Sequence, residues 1–138
     1  MKDRYLFKAK RKDNCEWVFG GLSYCDKTGA YFITNMGKDH ISYIGFHQEV
    51  DSNTICQCTG LKDKNGKLIW ENDICRRVLL PTKRIKTNFK IAYVPYKCCI
   101  SAIDLDGSNI TFLSDYINNQ YEVEVIGNIF DNPELLEE

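Results

Sequence analysis

Prolines number three and histidines two, and no apolar run approaches the roughly 20 residues that a helix needs to cross a bilayer. Nothing in the sequence therefore predicts a membrane span. No Ser-His-Asp order, H-E-x-x-H pair, Gly-rich phosphate loop or dinucleotide fingerprint is present, which removes the common catalytic motifs. A 3.6-residue apolar period nowhere lasts long enough for a substantial helix, so helical bundles are excluded too. Met1-Lys2-Asp3-Arg4-Tyr5 lacks an apolar signal core, and the seven cysteines are odd in number. Both features predict a reducing cytoplasmic setting, with most thiols acting as small buried hydrophobes.

Charge is also missing by region. Ile74 to Ile103 contains no acid but seven basic residues, Arg76, Arg77, Lys83, Arg84, Lys86, Lys90 and Lys97, whereas Asp104 to Glu138 contains nine acids and no Lys or Arg. The formal net charge of -1 hides this segregation. Strands of opposite charge that pair with one another would explain it, and so would a nucleic-acid face beside an acidic tail.

What the chain does have is β-prone residues broken by Gly, Asn and Asp. Tyr5 to Ala9 and Glu16 to Phe19 read as a hairpin, with Gly20-Gly21 ending its second strand. Leu22 to Cys25, Ala30 to Thr34 and Ile41 to Ile44 continue a meander, and Phe46 to Asn53 reads as an irregular loop. Thr54 to Thr59 alternates, placing Cys56 and Cys58 on one face. Asp63 to Gly66 holds the tightest turn chemistry. Strands follow from Asp73 to Leu80, Phe89 to Val94, Cys98 to Leu105, Ile110 to Leu113 and Tyr121 to Ile126, with Thr82 to Asn88 as a basic loop. Ser114 to Ile117 suits one helical turn capped by Ser114, and Pro133 to Leu136 suits another. The predicted fold is mainly β: an N-terminal β-meander subdomain over 1–53, then a small SH3-like β-barrel with a C-terminal tail over 54–138. Turns are assigned to Asn65, Gly66, Asn72 and Gly127, and core positions to Trp17, Ile69, Trp70, Ile74, Val125 and Ile126.

Three constellations bear on function. Glu71 and Asp73 are two apart, which suits an acid–base pair but equally a polar strand entrance bonding turn amides. Cys56 and Cys58 with Cys98, Cys99, His40 or His47 lack the spacing of a zinc knuckle, because adjacent Cys98 and Cys99 on a strand face opposite ways. No metal or cofactor is predicted. Arg76, Arg77, Lys83, Arg84, Lys86 and Lys90, interleaved with Phe89 and Tyr93, form the nucleic-acid candidate. Trp17, Trp70, Tyr43 and Tyr96 are candidates for a protein-binding patch.

The run Thr59-Gly60-Leu61-Lys62-Asp63-Lys64-Asn65-Gly66 resembles, residue for residue, the hallmark of the YopX family of bacteriophage and prophage proteins. Lys67, Ile69, Trp70, Glu71, Asp73 and Ile74 continue the match, and Asn72 stands where the family usually has Gly. Arg4 to Ala9 with Glu16 to Gly20, and Glu124 to Leu136, resemble the family's opening and ending. The resemblance implies a phage or prophage protein of the bacterial cytoplasm, and no shared activity. The expected function is a non-enzymatic accessory protein that binds a phage or host protein or a second copy of itself. The alternative is a nucleic-acid-binding module using residues 76–90.

Overall fold

The computed structural model describes residues 2–35, 46–117 and 120–137. The strand expected over Ile41 to Ile44, with His40 and Tyr43, lies outside them. Contacts divide the chain into two compact units, 1–58 and 59–138.

In the first unit, β1 (Phe7–Lys10), β2 (Trp17–Cys25), β3 (Ala30–Asn35) and β4 (Phe46–Val50) pair antiparallel in the order β4-β3-β2-β1. Cys56 and Gln57, at the start of β5 (Cys56–Lys62), pair with Lys8 and Phe7. Two expectations fail here. The polar stretch after Phe46 forms β4, because Phe46 to Val50 finds a full backbone ladder against β3. Gly20-Gly21 does not end β2 but lies in its middle, where the strand passes from pairing with β1, through Phe7↔Gly20, to pairing with β3, through Gly21↔Thr34. Glycine is needed there because a Cβ on Gly20 would collide with the Thr34 backbone carbonyl. Ala9, Ile33 and Val50 form the buried core, ringed by Phe7, Val18, Leu22, Tyr31 and Ile55. Trp17, expected in the core, is half-buried, with the ammonium of Lys8 4.6 Å from its ring centre.

The second unit contains the end of β5, β6 (Leu68–Trp70), β7 (Asp73–Leu79), β8 (Lys86–Val94), β9 (Cys99–Asp104), β10 (Ile110–Phe112) and β11 (Tyr121–Asn128). Five of these form an antiparallel ladder in the order β10-β9-β8-β7-β11. The ladder is open, and no closed barrel is found among the described residues. The basic loop expected over Thr82 to Asn88 is shorter than that, since β8 begins at Lys86. Helix α1 (Leu113–Tyr116) is not capped by Ser114; Phe112 precedes it without a side-chain cap bond. Ile69, Cys75, Phe89, Ile91, Ala102, Leu113, Tyr116 and Val123 form the core. Of the remaining expected core residues, Trp70 and Ile74 are buried, while Val125 and Ile126 are half-buried.

Candidate functional site

The hallmark turn is organised by one carboxylate. Asp63 Oδ1 accepts the backbone N–H groups of Asn65 and Lys67, both at 2.9 Å, and Oδ2 accepts that of Val125 at 3.0 Å. Lys64 N–H donates to the Val123 carbonyl at 2.8 Å. β11 is the last strand of its ladder, so the turn lies on backbone that would otherwise be a bare sheet edge. Burial to 8% exposure pushes the Asp63 carboxyl up, but the bonds from Val125, Lys67 and Asn65 outweigh it and hold the carboxyl below its ordinary 3.8. Gly66 takes the positive φ that closes the turn, 80°, and Asn72 takes 71° between β6 and β7. Asn72 N–H donates to the Ile91 carbonyl and its own carbonyl accepts from Ile129 N–H. Asn65 presents its N–H to Asp63, and Gly127 falls within β11 at a bulge rather than in a turn, where an added Cβ would lie only 2.5 Å from Asn132 Oδ1.

Glu71 and Asp73 flank Asn72 at the entrance to β7. Asp73 is buried with Oδ2 accepting the Trp70 N–H at 2.8 Å, a strand entrance fastened to a turn amide, and Glu71 is half-buried beside it. Cys56 and Cys58 share a buried face of β5, whereas Cys98 is exposed in a left-handed conformation and Cys99 faces Ser101. Among the described residues no group of three or more His, Cys, Asp or Glu is placed to hold a metal ion.

The six basic residues do not share one environment. Arg77 points to the core side: its guanidinium sits 4.0 Å from the Tyr116 ring centre and 3.5 Å from Asp104 Oδ2. Asp104 is the residue that sequence reasoning passed over. Buried, it also accepts the Tyr116 hydroxyl at 3.0 Å and the Asn109 amide at 3.2 Å. Burial, then the bond to Asp104, pushes the Tyr116 phenol up to about 12. No local pattern joins Arg77, Asp104 and Tyr116, because Arg77 and Asp104 meet through the β7-β8-β9 pairing and Tyr116 comes from α1. Lys83 pairs with Glu122 at 3.6 Å. Arg84 is exposed and Lys90 lies on the face opposite Phe89. Arg76 and Lys86 line a shallow depression of about 540 Å³ with Thr87, Asn88, Leu105 and Asp106. Arg76 Nε donates to Asn88 Oδ1 at 3.3 Å. Phe89, expected as a stacking platform among these cations, is fully buried.

A second concentration of exposed side chains lies where β8 ends, β9 begins and β10 ends. Tyr93 is 52% exposed, Tyr96 75% and Phe112 53%. Lys97 donates to the Ile110 carbonyl at 3.0 Å and lies 5.2 Å from the Phe112 ring centre. No helix among the described residues is long and apolar enough to cross a membrane.

Sheets, turn and surface together define a small, mainly β protein whose most distinctive residues build structure. The chain belongs to the YopX family: the family model described as YopX protein matches residues 6–137. Comparison with curated proteins finds no match.

Proposed function

We propose that this chain is a non-enzymatic phage or prophage accessory protein that works in the bacterial cytoplasm as a protein-binding module. Its partner is a phage or host protein, or a second copy of itself. We also read the second unit as SH3-like, with the Asp63 turn on β11 carrying the five-stranded ladder toward closure.

The exposed aromatic end of the second unit is the observation that carries the reading. Tyr93, Tyr96 and Phe112 are large, lose little rotamer freedom on contact, and lie exposed at one end of the ladder, with Tyr93 and Phe112 on its opposite faces. Exposed aromatic rings on both faces of one sheet end offer a partner hot-spot contacts from either side. The test replaces all three by serine. Wild type and triple variant are compared by sedimentation velocity and by crosslinked affinity purification from phage-infected or lysogenic cells. Loss of a self-associated species or of a specific crosslinked partner, with circular dichroism unchanged, is expected; identical partners and sedimentation for both proteins would refute it.

A further inference from the structure

The depression lined by Arg76 and Lys86 has a charge arrangement that the aromatic end does not explain. In the antiparallel ladder Arg76 stands directly opposite Asn88 on one side and Glu124 on the other, so all three side chains share a face. The expected cross-strand ion pair between Arg76 and Glu124 is not formed. Glu124 turns instead to Lys64 of the hallmark turn, 3.7 Å away, and the same ammonium lies 3.7 Å from Glu122. Arg76 leans the other way, its Nε on Asn88, which leaves the two Nη groups of its fork without a carboxylate within 4 Å among the described residues. Asp106 at the rim is occupied by its own turn: one oxygen accepts the Ser108 hydroxyl at 2.6 Å and the Ser108 N–H at 2.9 Å.

Along β8 the same face carries Lys86, Asn88 and Lys90, successive positions about 6.7 Å apart, with Arg76 beside the middle one. The two lysine positions of the row, Lys86 and Lys90, are thus about 13 Å apart with Arg76 beside the gap, a span comparable to that between alternate phosphates in an extended strand. At about 540 Å³, with Leu105 offering apolar surface and Thr87 and Asn88 offering polar groups, the depression is far roomier than a carboxylate side chain requires and suits a nucleoside. We infer that this face binds the phosphodiester backbone of single-stranded nucleic acid, and that Lys64 acts as a positioning residue that keeps Glu124 away from Arg76. The site shares no residue with the aromatic end, so its failure and the failure of the protein-binding reading are separable.

The probe is a fluorescent oligothymidylate of about 15 nucleotides, a length suited to small β-domain binders, titrated by anisotropy against the full chain, with polyglutamate as competitor. Three phosphate contacts predict a slope of about -2 in log affinity against log salt, and Arg76→Gln or Lys86→Gln should each reduce it by about 0.7. Lys64→Ala touches no ligand in this scheme, yet should weaken binding up to about fivefold, the upper range for an exposed ion pair. Adding Glu124→Gln to Lys64→Ala should restore affinity, which a merely structural loss would not allow. Absence of binding at low salt, stronger binding of polyglutamate than of the oligonucleotide, or failure of the double variant to recover would each overturn the inference.

Discussion

Replacing Asp63 by asparagine changes one atom of the side chain and reverses the polarity of one contact. The retained oxygen still accepts from Asn65 and Lys67, but the new amide nitrogen faces the Val125 N–H, donor against donor. Hydrogen bonds to a charged group contribute about 1.5–3 kcal/mol each. Asn65 and Lys67 are exposed and find water, whereas Val125 is half-buried, so the loss is concentrated at β11. We expect Asp63→Asn to destabilise the second unit by about 2–3 kcal/mol at pH 7, and Asp63→Ala by about 3–4. With Trp17→Phe as background, buried Trp70 reports on this unit alone, and urea titration followed by its fluorescence gives the difference. The pH dependence supplies the sharper check. The folded carboxyl titrates below the ordinary 3.8, so its stabilisation is complete above that value and is lost as pH falls through the folded value. The gap between wild type and Asp63→Asn should therefore be widest at neutral pH and narrow below 3.8. A difference under about 0.5 kcal/mol at pH 7, the ordinary range for surface substitutions, would refute the assignment of Asp63 as the fastening point. So would a gap that does not change with pH.

Three other outcomes follow from the same contacts. Gly20→Ala should cost the first unit about 2–3 kcal/mol, read from Trp17 fluorescence, because its methyl meets backbone of β3 that cannot swing aside; a neutral result would mean that β2 and β3 separate easily. Tyr116→Phe should cost about 1–2 kcal/mol by removing one bond to buried Asp104. Because the folded phenol titrates above its ordinary 10.0, its contribution is full below that value and lost as pH rises through about 12, so the variant should show less alkaline destabilisation in that window. In a thiol-labelling time course of the native protein, exposed Cys15 and Cys98 should react first, then half-buried Cys25 and Cys99. The Thr28 hydroxyl lowers the Cys25 thiol, while burial pushes that of Cys75 up. Cys56, Cys58 and Cys75 should label only after unfolding, and five or more thiols labelled natively would refute the burial pattern.

Local geometry was the part of this protein most legible in its sequence. Gly66 and Asn72 take the left-handed backbone that their residue types suggest, and the alternation through Cys56 and Cys58 places both on one buried face. These features depend on one or two residues and their neighbours. What escaped depends on partners far along the chain. Gly20-Gly21 looks like punctuation until the Thr34 carbonyl arrives beside it. Phe46 to Val50 looks irregular because its order comes from the β3 ladder and not from its own alternation. Asp63 looks like an ordinary turn former, and only its second oxygen, reaching across 62 positions to Val125, reveals the fastening. The basic stretch shows the same limit. Sequence groups Arg77 with Arg76, but strand alternation sends one inward to Asp104 and leaves the other above Asn88.

The hallmark turn also bears on how concentrated this protein is able to become. A strand such as β11, rich in Val, Ile and Tyr, is a template on which any extended segment can crystallise, and fibres grow from such templates. With Lys64 and Asp63 holding the Val123 carbonyl and the Val125 N–H, that template is closed at its middle. The residues that identify the family thus set an upper limit on runaway assembly, and weakening them should lower the solubility ceiling during high-level expression before it abolishes the fold.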